Sequence, residues 1–245
     1  MQPMPDSIGK DLVLVGGGHS HALVLRMLAM RPIAGLRITL VSPASHTPYS
    51  GMLPGLVAGH YSFEETHIDL ARLCQWAGVR FISAQVTALD PQARRLSLAG
   101  RPDIEYDLVS IDIGSQPELD SVPGARAHAV PVKPVADLWQ RWQDLLQRLA
   151  TKPAGTRHRI AVVGGGAGSV ELGLAMARRL ALQPVDLELY CGAPEILQDY
   201  SAGARRAVSA ALERHGVAVY VNARVNAVES NHLQLADGRE APFDE

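Results

Sequence analysis

Cysteine is nearly missing from this chain: Cys74 and Cys191 are the only two among 245 residues, and no Cys-x-x-Cys pair occurs. The number excludes a disulfide framework and the spacing excludes a dithiol of neighbouring cysteines. Surplus charge is missing as well. The formal net charge is −2 and no basic run exceeds two or three residues, as at Arg94-Arg95, Arg178-Arg179 and Arg205-Arg206, so a nucleic-acid surface is not expected. No apolar run is long enough to cross a bilayer; residues 22–30 come nearest and are interrupted by Arg26. The start, MQPMPDSIGKD, lacks a basic segment leading into an apolar core, so no signal peptide is read and the cytoplasm is the expected location. Histidine is plentiful at nine, yet His19 and His21 diverge from a helix start and His46, His60 and His67 are scattered, so no metal site is expected.

What is present is apolar content, 47% of residues, enough for two modest cores. It is organised around residues 11–21, DLVLVGGGHSH. Leu12 to Val15 read as a strand buried on both faces, Gly16-Gly17-Gly18 as a turn, and 19–30 as a helix with Leu23, Met27 and Met30 facing a core. Gly16 permits the tight turn and Gly18 lets main chain approach a diphosphate, while the helix start offers unpaired N–H groups and a positive dipole end. His21 stands where such motifs carry a third glycine, so the helix should sit farther out or splay. The design returns in RIAVVGGGAGSVEL: strand 160–163, glycines at 164, 165 and 166, then helix, with Ser169 in the third glycine's place and Glu171 two residues on. Two such junctions imply two nucleotide-binding units.

Between them, 36–41 reads as a second parallel strand ending in Ser42, where an acid would usually take ribose hydroxyls. Residues 45–61 show neither helical nor strand period and read as a functional loop, with Tyr49, Met52 and Leu53 laid against a flat ligand and Gly51 permitting close approach, or else as an Ω-loop packed on itself. A helix over 64–78 follows, with Ile68, Leu70, Leu73 and Trp76 on its apolar side, then strands at 79–82, 85–89, 95–98 and 104–111, the last ending in Asp112-Ile113-Gly114-Ser115. A proline-rich connection, 117–134, leads into a helix at 135–150, and 151–159 is the polar boundary between units. The second unit continues its helix to about residue 182, with strands at 186–190, 217–221, 225–229 and 232–235 and a helix at 201–215. Tyr190-Cys191 replaces the ribose acid here, with no arginine following closely for a 2′-phosphate. Cys191 reads either as a redox thiol or as inert packing, and Lys133 as an exposed linker lysine.

With these residues placed, essentially the whole chain resembles the pyridine nucleotide–disulfide oxidoreductase superfamily. The resemblance implies an α/β fold of two Rossmann-like three-layer units, the second inserted in the first: an FAD-binding domain over 1–155 and an NAD(P)H-binding domain over 156–245. It also implies a C-terminal return of the FAD domain, expected to be missing from this sequence because it would begin about where Pro242 to Glu245 stand. Gly16, Gly18, His19 and Ser20 match the FAD diphosphate loop. Ser42 and Tyr49 fall beside it, Val86 matches the valine whose backbone contacts adenine, and Ile113-Gly114 the strand end at the flavin. Gly164, Gly166, Ser169 and Glu171 match the NAD(P)H loop. The missing dithiol narrows the likeness to the single-subunit NADH dehydrogenase and sulfide:quinone reductase branch. HTPYSGMLPG, from His46 to Gly55, is similar to a group found fused or adjacent to selenophosphate synthetases, implying a setting near selenium or sulfur metabolism and an association with such an enzyme.

The expected activity is transfer of electrons from NAD(P)H, or another two-electron donor, through FAD to an acceptor such as a quinone. The cofactor carries the chemistry, so no catalytic acid or base is named. A homodimer is one assembly this allows. The alternative is a non-catalytic dinucleotide sensor or docking module for a partner enzyme.

Overall fold

The computed structural model describes residues 9–115, 117–151 and 156–245. The chain opens with β1 (Lys10–Val15), α1 (His19–Met30) and β2 (Leu36–Ser42). Gly16 makes the first break at φ +93°, a backbone conformation that residues with a Cβ rarely adopt. Next come β3 (His46–Pro48), a 3-10 turn (Ser50–Met52), α2 (Leu53–Ala58), α3 (Phe63–Thr66), β4 (His67–Asp69) and α4 (Leu70–Ala77). Then follow β5 (Arg80–Ser83), β6 (Val86–Asp90), β7 (Arg95–Leu98), β8 (Arg101–Glu105) and β9 (Leu108–Ile111).

Contacts gather residues up to Tyr49 with Glu64–Ser115 into one unit. Its main sheet runs β5-β2-β1-β9, parallel throughout, so β1 and β2 are interior strands and must be apolar on both faces. Leu14, Leu25, Leu40, Leu70 and Cys74 form the core beneath α1 and α4. Val13, Val15, Val41, Leu96 and Tyr106 form the opposite one, roofed by the antiparallel sheet β6-β7-β8. The unit is therefore three layers, helices on sheet on sheet.

Four expectations over residues 9–115 need correction. α1 spans the expected residues but turns another face inward: His21, Ala22 and Leu25 are buried, while Leu23, Met27 and Met30 are 59%, 63% and 58% exposed. Hydrogen bonds allow the imidazole of His21 to take an inward position that an apolar pattern assigns elsewhere. The helix expected over 64–78 is split, because residues 67–69 instead pair antiparallel with β3, placing His46 opposite Asp69 and leaving Trp76 exposed. Residues 45–61 are not a structureless loop; they contain β3, the 3-10 turn and α2. The strand expected over 104–111 is two, parted at Tyr106-Asp107 where the chain leaves one sheet for the other.

Ser50–Phe63 and the rest of the chain form the other unit. It adds α5 (Ala125–His128), α6 (Val135–Thr151), β10 (His158–Val163), α7 (Ala167–Arg179), β11 (Val185–Tyr190), α8 (Ala202–Arg214), β12 (Val217–Tyr220), β13 (Val225–Val228), β14 (His232–Leu235) and β15 (Glu240–Pro242). The parallel sheet is β10-β11-β12, and β13-β14-β15 is antiparallel. α6 follows the expected pattern, with Leu138, Trp142, Leu145 and Leu149 buried; α7 stops at Arg179, short of the expected residue 182. Leu53, Leu56 and Val57 of α2 are buried in the same core as Val170 of α7, so Leu53 is core rather than a ligand contact. This grouping differs from a division at residue 155, since α6 packs with the second unit; residues 152–155 of the expected linker lie outside the described residues. No helix among the described residues is long and apolar enough to cross a membrane.

One device recurs. In the first unit Asp107 donates its N–H to the Asp11 carbonyl (2.9 Å) and its carboxylate accepts the Asp11 N–H (2.7 Å), just after the buried Tyr106. In the second, Asp244 donates to the Arg159 carbonyl (2.9 Å) and accepts the Arg159 N–H (2.8 Å), just after the buried Phe243. Each aromatic–Asp corner fastens the return from an antiparallel sheet to the first strand of its unit.

Candidate functional site

In the first unit the glycine turn lies at the carboxyl end of β1, between the ends of β2 and β9. The Gly16 N–H donates to the Val41 carbonyl (2.8 Å) and the Gly18 N–H to the Asp112 carbonyl (3.1 Å). A Cβ on Gly17 would run into Leu70 and lie 3.3 Å from the Ser42 hydroxyl, so this middle glycine is required by packing against α4. His21, in the third glycine's place, is 2% exposed. Its Nδ1 lies 2.7 Å from the Gly16 carbonyl and its Nε2 2.9 Å from the Ser110 hydroxyl. A carbonyl only accepts, so Nδ1 carries a proton, and the ring ties the first turn of α1 to β9. The bulk expected to push the helix away is thus accommodated as a polar strut.

The other expected residues distribute as follows. His19 and Tyr49 meet edge to face, ring centroids 4.8 Å apart, and the buried Nε2 of His19 has no hydrogen-bond partner among the described residues. That orphaned atom suits a polar group of a bound molecule. Ser20 is exposed at the helix start. Ser42 is buried and its hydroxyl donates to the Ala44 carbonyl (2.9 Å), leaving only lone pairs for a ribose. Val86 opens β6, opposite Leu98. Ile113 is 73% exposed and Gly114 turns at φ +74°, three residues beyond the end of β9.

Sequence reasoning passed over the charge of Asp112. Its carboxylate accepts the His21 N–H (3.2 Å) at the head of α1 and fills the space where a Cβ on Gly18 would sit. Gly18 therefore makes room for this side chain, where an open approach for a diphosphate was expected. The available signal was an acid directly after an apolar strand at the ligand-bearing edge of the sheet.

The second unit presents a different cradle. Gly166 precedes α7, and Cβ atoms on Gly166 or Gly168 would meet nothing within 4 Å. The Gly164 N–H donates to the Tyr190 carbonyl (2.9 Å), and a Cβ there would lie 2.5 Å from the Ser169 hydroxyl, so Ser169 packs on the turn. Glu171 is exposed on α7. Beside the turn is a cavity of about 230 Å3 lined by Gly165, Gly166, Cys191, Gly192, Asp199 and Tyr200, among others. A larger one, about 490 Å3, runs along β12 and α8 and lacks the glycine turn's main-chain donors. Cys191 is buried, its thiol pressed against Gly165 and 3.6 Å from the Glu195 carbonyl, which is the packing reading of that residue. Across the sheet, the Tyr190 hydroxyl donates to Glu188 (2.6 Å) and its ring stacks on Tyr220 at 5.0 Å; burial, then Glu188, pushes the Tyr190 phenol well up.

Each parallel sheet thus carries a glycine turn at the carboxyl end of its first strand in the chain, β1 or β10, leading into a helix. The sequence profile described as pyridine nucleotide-disulphide oxidoreductase fits residues 10–245. The chain belongs to this family. Among its oxidoreductase relatives, demethylphylloquinone reductase NdbB of Synechocystis is 26% identical over 238 residues, 95% of this chain and 58% of that protein. The sulfide:quinone oxidoreductase of Aquifex aeolicus superposes with a TM-score of 0.74 at 22% identity, over 96% of this chain and 57% of that one. NDH2 of Plasmodium falciparum, solved in complex with NADH, gives 0.81 at 16% identity, over 96% and 53%. The chain thus spans a little over half the length of these relatives.

Proposed function

We propose that this oxidoreductase-family chain serves an FAD-dependent enzyme passing two electrons from NAD(P)H to an acceptor such as a quinone. The observation that carries the reading is the open glycine turn before α7, with a cavity of about 230 Å3 beside it. A nicotinamide dinucleotide would be held there through its diphosphate by main chain at Gly164 and Gly166 and the first turn of α7, with Ser169 and Glu171 following. Cys191-Gly192 at the end of β11 brings no carboxylate to the ribose, so the two chain ends of that cavity, glycine turn and residues 192–200, carry recognition.

The first unit is the proposed FAD unit. Gly18, His19 and Ser20 would face the diphosphate, Ser42 the ribose and Val86 the adenine, with Tyr49, Ile113 and Gly114 towards the flavin. Bound FAD supplies the two-electron chemistry. The chain's own task is to orient that group and exclude water. The resemblance of the stretch from His46 to Gly55 supports a setting near selenium or sulfur metabolism; co-purification with a selenophosphate synthetase checks it.

The direct test is the purified chain mixed with FAD and repurified. A bound visible flavin band that NADH or NADPH bleaches supports the proposal. Colourless protein that binds nucleotide without turnover overturns it in favour of a dinucleotide sensor or docking module, the reading that the missing ribose acids favour.

A further inference from the structure

The head of α1 already holds an anion. The Asp112 carboxylate accepts the His21 N–H at 3.2 Å, its main-chain carbonyl takes the Gly18 N–H at 3.1 Å, and its side chain fills the volume that glycine leaves at position 18. No arginine, lysine or histidine pairs with this carboxylate among the described residues, so the helix start is what holds it. The strut from His21 to Gly16 and Ser110 fixes the helix start next to it, so the helix itself is not free to retreat. A helix N-terminus attracts a carboxylate and a phosphate for the same reason, and two anions there repel.

The geometry points to Asp112 as an internal competitor for the diphosphate of FAD, setting how tightly the first unit holds a dinucleotide. This rests on the flavin assignment above. For FAD to settle on Gly18, the carboxylate must leave the His21 N–H and rotate outward. The equivalent turn before α7 has no such occupant, since a Cβ on Gly166 would meet nothing within 4 Å. The two units therefore differ in kind: the second is open to a diphosphate and the first is guarded by its own side chain.

Titration of the full chain with FAD, followed by quenching of flavin fluorescence, tests this with Asp112→Asn and Asp112→Ala. Asparagine keeps the volume and an oxygen to accept the His21 N–H but removes the charge. The expected result is FAD binding about tenfold tighter than wild type for Asp112→Asn, equal to about 1.4 kcal/mol, and at least as tight for Asp112→Ala. Riboflavin, which lacks the diphosphate, should bind all three proteins alike. FAD binding that is unchanged or weaker in both variants, or riboflavin binding that rises as much as FAD binding, overturns the role of Asp112 and leaves the flavin assignment standing. Failure of all three proteins to bind FAD overturns both. Should Asp112→Ala not fold, the near-isosteric Asp112→Asn decides alone.

Discussion

Gly18→Ala turns the crowding at the head of α1 into a measurable energy. The added methyl would collide with the Asp112 carboxylate, so either the helix start shifts or the carboxylate gives up the His21 N–H. The first route is overpacking of a filled space, costing about 1–3 kcal/mol. The second forfeits a hydrogen bond to a charged group, costing about 1.5–3 kcal/mol. Whichever is cheaper wins, so the loss is about 1–3 kcal/mol, with each kcal/mol lowering Tm by about 2–4 °C in a chain of this size. In an Asp112→Ala background the obstacle is gone, and the same substitution should cost no more than the ordinary preference of an N-cap for glycine over alanine, under about 1 kcal/mol. Urea unfolding of wild type, both single variants and the double variant, followed by circular dichroism, gives the coupling directly; about 1–2 kcal/mol is expected. Additivity within about 0.5 kcal/mol would show that the carboxylate does not occupy the space at Gly18, and would refute the reasoning.

Leu56→Ala should destabilise the second unit by about 2–5 kcal/mol in urea unfolding, because this side chain is 2% exposed in the core shared with α7; a loss below about 1 kcal/mol would restore the reading of residues 45–61 as a functional loop. Burial pushes the Cys74 thiol from 9.0 up to about 11, and Cys191 is buried too, so Ellman's reagent at pH 8 should label neither until urea is added. The raised value has a sign: the unfolded thiol ionises first, so the stability of the first unit is intact below pH 9 and falls as pH rises towards about 11, a fall that Cys74→Ala should abolish. The Arg159 backbone N–H holds the Asp244 carboxyl below its ordinary 3.8, so its contribution is present above that pH and is lost as pH falls further; Asp244→Asn should flatten the acid limb of unfolding followed in the second unit. Gly165→Ala would drive its methyl into the Cys191 thiol and should weaken NADH binding in a fluorescence titration, with Cys191→Ala restoring part of the loss.

Both strand–turn–helix junctions were legible because each rests on short-range rules: an apolar run for an interior strand, glycine where φ is positive, a helical pattern beyond. The buried face of α1 was not. Leu23, Met27 and Met30 form a clean apolar stripe, but His21 satisfies its ring nitrogens on Gly16 and Ser110 and so lies inside, a pairing that no periodicity records. Long-range partners explain the other misreadings. β4 exists because β3 lies beside it, and α2 is buried because α7 supplies the rest of its core. β15 is three residues ending in proline and has no strand signature of its own. At the site, the glycines were placed from sequence, whereas what fills the space beside them was not: Asp112 at Gly18 and the Cys191 thiol at Gly165 emerge only when separate strand ends meet.

The two aromatic–Asp corners make damage local. Asp107 holds Asp11 and Asp244 holds Arg159, each on the leading strand of its own unit, so the two fastenings share no residue. Severing one removes two main-chain-anchored contacts at a single strand edge. The lesion would show first as faster hydrogen exchange in the strand its own aspartate holds.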